Sequence, residues 1–173
     1  MVSKKALKQR LRHWAKELAF MGLIIFLISN LMSYLRSPSL DNEGLPQIST
    51  FLINQEPFST STYEKKPILV HFWATWCPTC KLEASNIQYI SDNYNVITIA
   101  VKSGSDVKIN AYMQENTLNF KVINDEEGLL SQGFKVKAYP TSFIYNTKGQ
   151  LSFTEVGYTS TLGLMIRMWW ASF

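Results

Sequence analysis

The sequence predicts one α/β domain, an α/β sandwich with a mixed sheet, carried behind an apolar N-terminal segment. Three observations lead there. Residues 67–74 (PILVHFWA) and 96–101 (VITIAV) are continuous apolar runs rich in β-branched and aromatic residues, the pattern of strands covered on both faces. Between them lies a helical stretch from Cys77 to about residue 93, with Leu82, Ile87 and Ile90 on roughly one face. Further on, Asn146-Thr147-Lys148-Gly149 separates strand-like runs at 141–145 and 151–156 and reads as a hairpin turn.

The remaining elements follow in order. Ser105 or Asp106 can cap a helix through Asn116, residues 120–123 read as a short strand, and 125–133 as a short helix or turn. Residues 159–170 close the chain as a helix. The order βαβαβαββα implies early parallel strands and a last antiparallel pair. No internal repeat or second linker divides this part.

The 173 residues are 46% apolar and 13% aromatic against 17% charged, enough to bury a core and too apolar for general disorder. The net charge of +4 is unevenly spread. Residues 1–17 hold six Lys/Arg against Glu17 alone, whereas residues 37–173 hold ten Lys/Arg against twelve Asp/Glu. The basic character belongs to a short arm, and the mildly acidic body lacks the basic stripe that nucleic-acid binding needs.

Residues 18–35 (LAFMGLIIFLISNLMSYL) carry no charge and are bounded by Glu17 and Arg36. As a helix they cover about 27 Å, close to the roughly 30 Å of a bilayer core. Trp14 and Tyr34 sit where interfacial aromatics are favoured. The expectation is an uncleaved transmembrane anchor. A cleaved signal peptide is the rival, but no good small-x-small site follows; a buried core helix fits poorly with a run that is apolar on all sides. Cations cluster before the span, so the arm 1–17 should stay cytoplasmic and the rest lie outside, the periplasm in a Gram-negative bacterium. Residues 36–48 (RSPSLDNEGLPQI) read as a tether, leaving 49–173 as the folded domain.

The chemistry concentrates at Cys77-Pro78-Thr79-Cys80, directly after a strand and opening a helix. That spacing lets the two sulfurs close a small disulfide ring, which an extracytoplasmic compartment preserves. Unpaired N–H groups and the positive dipole end favour a thiolate on Cys77, below the reference of about 8.5. Cys77 is the expected nucleophile and Cys80 the resolving thiol. Pro78 suits the first helical turn, having no N–H to leave unpaired. A purely structural bridge would close too small a loop to stabilise much. A metal site would need ligands beyond His71 and carboxylates, so no metal is expected, and no cofactor other than the Cys77–Cys80 disulfide.

Residues 72–81 (FWATWCPTCK), with Tyr139-Pro140-Thr141 sixty residues on and an apolar strand after it, resemble the thioredoxin fold. The likeness covers about residues 45–173 and is greatest to its membrane-anchored extracytoplasmic branch. That branch includes thiol-disulfide proteins of cytochrome c maturation and the thioredoxin-like member of the suppressor-of-copper-sensitivity group, which the tail 157–170 resembles most. Residues 96–122 look like the branch's extra strand and helix.

The resemblance implies further roles. Pro140 would be the cis-proline facing the disulfide, X–Pro being the bond where cis costs little; a trans proline opening a strand is the plainer alternative. Tyr139 would tune redox potential and substrate contact, with Thr141 beside it. Glu83 matches an acid that moves protons near the resolving thiol, or else is a solvated helix-face residue. His71 stands six residues before Cys77, where cytoplasmic thioredoxins carry a buried acid. It is either a proton acceptor for Cys80, a satisfied core histidine, or a residue pointing to the other sheet face. Trp73 reads as core packing and Trp76 as part of a docking surface for substrate. Trp169 and Trp170 read as an apolar helix face.

The function expected is a membrane-tethered thiol-disulfide oxidoreductase, reducing disulfides of periplasmic proteins and re-reduced by a membrane electron-donor protein. Direction is not encoded in the motif. The absence of an acid soon after Pro140 argues against apocytochrome c as substrate. The alternatives are an oxidant of the same fold and a copper-delivery module, although copper relatives of this fold use three intervening residues and a distal histidine. A peroxidase would want a lone cysteine preceded by Pro and Thr.

Overall fold

The computed structural model describes residues 10, 13–24, 27, 28, 31, 38, 44–63 and 65–173. The chain divides into two units, residues 1–35 and 36–173. In the first, residues 13–24 are helical and form α1. Among the described residues no helix is long and apolar enough to cross a membrane. The expected anchor at 18–35 lies partly outside them.

In the second unit the sheet is built around a strand buried along its whole length, Ile68–Trp73 (β3). It pairs in parallel with Asn95–Val101 (β4), which pairs in parallel with Val122–Asp125 (β5). On its other edge β3 pairs antiparallel with Thr141–Tyr145 (β6), and β6 with Leu151–Val156 (β7). The order β5-β4-β3-β6-β7 is the expected mixed sheet. At the β6–β7 turn the Asn146 side chain accepts the N–H groups of Lys148 and Gln150, and Gly149 takes the left-handed backbone (φ +71°) that the turn requires.

Because side chains alternate along a strand, β3 feeds two cores. Leu69 and Trp73 face one, shared with Cys80, Ile87 and Ile90 of helix Pro78–Asn93 (α2), Ile109 and Met113 of Asp106–Glu115 (α3), and Leu164 and Met168 of Thr161–Ala171 (α5). Ile68, Val70 and Phe72 face the other, closed by Phe58 and by Phe134, which ends the short helix Leu129–Gly133 (α4). Each fully buried aliphatic side chain contributes about 1.5–3 kcal/mol, so this alternation is what holds the cysteine-bearing helix on its side of the sheet.

Four details depart from the sequence expectation. A hairpin of Ser49–Phe51 (β1) and Pro57–Ser59 (β2), followed by a 3-10 turn at Thr60–Tyr63, was not legible, because three-residue strands carry no readable alternation. Strand β5 begins two residues later than expected, because Phe120 turns edge-on to Trp73 and pairing with β4 starts at Val122. Helix α4 begins at Leu129, because the Asp125 carboxylate accepts the N–H groups of Leu130 and Ser131 and left-handed Gly128 (φ +80°) breaks the run. The last residues expected in the tether also join the fold: Leu45 N–H donates to the Gly149 carbonyl at 2.7 Å, and Ile48 is buried.

Candidate active site

Cys77 caps α2 from an extended conformation, and Pro78 occupies the first turn. Cys77 and Cys80 form a disulfide with Cα atoms 5.3 Å apart. The Cys80 backbone N–H donates to Cys77 Sγ at 3.2 Å, so the helix terminus points a donor at the sulfur that would carry charge once the bond opens. Both sulfur residues are largely buried, 5% and 3% exposed.

The Tyr139–Pro140 bond is cis, and the Tyr139 carbonyl oxygen lies 3.6 Å from Cys77 Sγ. Thr141, the first residue of β6, is buried and its hydroxyl donates to the Ala138 carbonyl at 2.8 Å. Trp76 is 58% exposed. Its indole N–H donates to the Lys102 carbonyl at 3.1 Å, and its ring meets Tyr139 edge-on with centroids 5.7 Å apart. Trp76 and Tyr139 thus form one aromatic wall beside the disulfide, while Trp73 is core, as its place on β3 implies.

Glu83 is 1% exposed, which removes the solvated-face alternative. One carboxylate oxygen accepts the Thr159 backbone N–H at 2.9 Å and the other has no hydrogen-bond partner among the described residues. Burial pushes its pKa up to about 8; the Thr159 hydrogen bond opposes this, and the charge of Glu155 adds to it. Glu83 follows Cys80 by three residues, on the same helix face, and helical side chains lean back over the preceding turn.

His71 shares its sheet face with Leu69 and Trp73, the face covered by α2, so the alternative in which it points away falls. It is buried and hydrogen-bonded through Nδ1 to Ser142 Oγ at 2.9 Å. Burial lowers its pKa to about 3. That lowered basicity disfavours the expected proton-acceptor role toward Cys80 and fits the alternative of a core histidine satisfied by Ser142.

Residues that sequence reasoning missed complete the site. The strand registers line up Thr98, His71, Ser142 and Glu155 in one polar row across the sheet, on the face that carries α2. Glu155 Oε1 pairs with Arg167 Nε of α5 at 2.6 Å. Asn86 donates to the Thr159 carbonyl and accepts from the Thr161 hydroxyl, both at 2.9 Å, clamping that loop to α2. No spacing rule connects these positions, since they come from four separate strands and two helices. Among the described residues no cluster of His, Cys, Asp or Glu could hold a metal ion.

A buried disulfide at a helix start, beside a half-exposed aromatic rim and with a buried carboxyl three residues further along the helix, fits thiol–disulfide exchange. The chain is 29% identical over 164 residues to a thioredoxin-like protein of Haemophilus influenzae, covering 91% of this chain and 97% of that one. It is 30% identical over 112 residues to the sporulation thiol-disulfide oxidoreductase A of Bacillus subtilis, covering 61% and 67% respectively. In structure it matches a thioredoxin-family thiol:disulfide interchange protein of Chlorobium tepidum with a TM-score of 0.67 at 23% identity, over 78% of this chain and 99% of that one. The AhpC/TSA family model matches residues 42–154. With its thioredoxin-like fold and its Cys77–Cys80 pair, the chain belongs to the AhpC/TSA family and is a thiol-disulfide oxidoreductase.

Proposed function

We propose that the protein is a membrane-tethered reductase of disulfides in extracytoplasmic proteins, with its catalytic domain in the periplasm of a Gram-negative cell. The observation that carries the exchange chemistry is the Cys77–Cys80 disulfide at the start of α2, with the Tyr139 carbonyl against Cys77 Sγ. The tether rests on the eighteen charge-free residues behind a cationic arm, whose described side chains include Leu18, Phe20 and Leu27, all more than half exposed.

In the reduced state the Cys77 thiolate attacks a substrate disulfide sulfur, and one substrate sulfur leaves with the bonding pair and a proton from solvent. Cys80 then passes its thiol proton to the Glu83 carboxylate. Its thiolate attacks Cys77 of the mixed disulfide, the second substrate thiolate departs, and Cys77–Cys80 re-forms with Glu83 protonated. A membrane dithiol donor restores the cycle by attacking Cys77; the Cys80 sulfur leaves with the electron pair and takes the proton back from Glu83, and the donor's second thiolate then attacks its own sulfur in the mixed disulfide, releasing Cys77 as the thiolate and the donor as a disulfide. A carboxyl whose pKa approaches that of a thiol suits both transfers. Trp76, Tyr139 and Thr141 would line the path of an extended substrate past Pro140.

The test is reduction of insulin disulfides by the full-length chain in detergent micelles, together with the potential of the Cys77–Cys80 couple. A potential well below that of strong oxidants is expected. A value near about −120 mV would overturn the reducing direction in favour of disulfide formation. Proteolysis of right-side-out and inverted vesicles tests the location, since protection of residues 49–173 from the outside would exclude it.

A further inference from the structure

The loop between β4 and α3 meets the cysteine loop through two neighbouring residues. Ser103 is buried, and its hydroxyl accepts the Thr75 backbone N–H at 3.0 Å while donating to the Val101 carbonyl at 3.1 Å. One residue earlier, the Lys102 carbonyl accepts the Trp76 indole N–H at 3.1 Å. Lys102 holds the left-handed backbone (φ +47°), which is costly for a non-glycine residue and persists where neighbouring bonds enforce it. Two of those bonds tie the loop to β5. The Lys102 N–H donates to the Asp125 carbonyl at 3.0 Å, and the Asn124 side-chain amide donates to the Gly104 carbonyl at 3.0 Å. Thr75 and Trp76 lie in the turn from β3 into α2, where the Cys77 N–H donates to the Ala74 carbonyl at 3.1 Å. A loop fastened to the sheet thus holds both the backbone just before Trp76 and the indole itself.

We propose that Ser103 is a positioning residue for protein substrates: together with the Lys102 carbonyl it holds Trp76 edge-on to Tyr139, and so sets how tightly the site takes a polypeptide disulfide. This rests on the reading of Trp76 as part of the docking surface. Trp76 is more than half exposed, so packing alone fixes its ring poorly. Its orientation comes from the Tyr139 contact, the indole hydrogen bond and the clamped Thr75 N–H. A ring already ordered in the free protein costs less to order when substrate binds. Without the Ser103 hydroxyl, the Thr75 N–H loses its acceptor and the 102–104 loop loses a fastening to the turn. Ser103 acts through Trp76 and takes no part in the exchange of sulfur bonds.

The test uses the full-length chain in detergent micelles, with dithiothreitol as the reductant, and compares kcat/KM for insulin with kcat/KM for a small disulfide reagent. Ser103→Ala should lower the insulin-to-reagent ratio about fivefold, mainly through KM, the loss expected for one buried hydrogen bond. Ser103→Thr keeps a hydroxyl and should restore most of the ratio. In a Trp76→Ala background, Ser103→Ala should lower the ratio no further, because its effect runs through the ring. A merely structural role would instead slow both substrates alike and persist without the indole. The inference is overturned by an undiminished effect in the double variant. It is equally overturned if Ser103→Ala leaves the ratio unmoved while Trp76→Ala lowers it. If Ser103→Ala folds poorly, Trp76→Phe decides, since it removes the indole N–H and keeps an aromatic ring. That variant should lower the ratio, and a wild-type value would overturn the inference. Should Trp76→Ala itself leave the ratio unchanged, the docking-surface reading fails, and the role of Ser103 fails with it.

Discussion

The Glu83 carboxylate on α2 accepts a 2.9 Å hydrogen bond from the backbone N–H of Thr159, 76 residues further along the chain. The bond ties the cysteine-bearing helix to the loop that leads from β7 into α5, and it leaves the second carboxylate oxygen buried, without a hydrogen-bond partner among the described residues. An acid in that setting keeps its proton until well above the usual carboxylate range, as the proposed proton exchange with Cys80 requires.

The proposed cycle gives the two sulfurs unequal tasks. Cys80→Ala should stop turnover but still let Cys77 attack, so the variant accumulates mixed disulfides with protein substrates, visible on non-reducing gels. Cys77→Ser should reduce insulin no faster than the uncatalysed reaction and trap nothing. Adducts that form equally on both variants would reverse the assignment.

Glu83 also makes stability depend on pH. Its pKa stands at about 8 in the folded chain against 4.5 for the free group, so below pH 4.5 both folded and unfolded chains hold the proton. As pH rises from 4.5 to 8 the unfolded chain releases it and the folded chain does not, and stability falls through that window. Urea melts of Glu83→Gln should lack this loss, which is on the order of a few kcal/mol in the wild type. A wild type as stable at pH 8.5 as at pH 5 would exclude the buried, protonated acid.

His71 predicts the opposite limb. With a pKa near 3 in the fold against 6.5 free, it stays neutral while the unfolded chain gains a proton, so stability falls as pH drops from 6.5 toward 3. His71→Asn should flatten that acid limb in thermal melts and leave the pH profile of insulin reduction unshifted. A displaced profile would restore a proton-transfer role to the imidazole.

Trp76 stands out from the surface beside Cys77, so its truncation should weaken protein substrates and spare small ones. Trp76→Ala is expected to raise KM for a protein disulfide about tenfold, the loss of roughly 1–2 kcal/mol of aromatic contact. Reduction of a small disulfide reagent should change little. Equal losses on both would make Trp76 a support for the cysteine loop instead of a docking surface.

Ile87 lies fully buried under α2 in the core it shares with Cys80. Ile87→Ala should cost about 2–5 kcal/mol in chemical denaturation. A loss below 1 kcal/mol would mean that α2 is held by its polar clamp to the 159–161 loop more than by this core.

Much of the fold and the heart of the site follow from local chemistry in the chain. The unbroken apolar runs of β3 and β4 could satisfy themselves only as strands covered on both faces. The positions of Cys77, Pro78 and Cys80 at the start of a helix follow from capping and from the missing N–H of proline. What only the tertiary structure decided is the state of the polar residues between those landmarks. Glu83 had a buried and a solvated reading, and His71 could be a proton acceptor, a satisfied core residue or a residue on the other sheet face; nothing within a helical turn or a strand repeat distinguishes them. Their pKa values depend on how much water is excluded and which groups stand nearby, and those partners, Ser142 for His71 and Thr159 and Glu155 for Glu83, are brought in by strand register and helix docking across the domain. Periodicity reports which side of an element is apolar; desolvation belongs to the assembled fold.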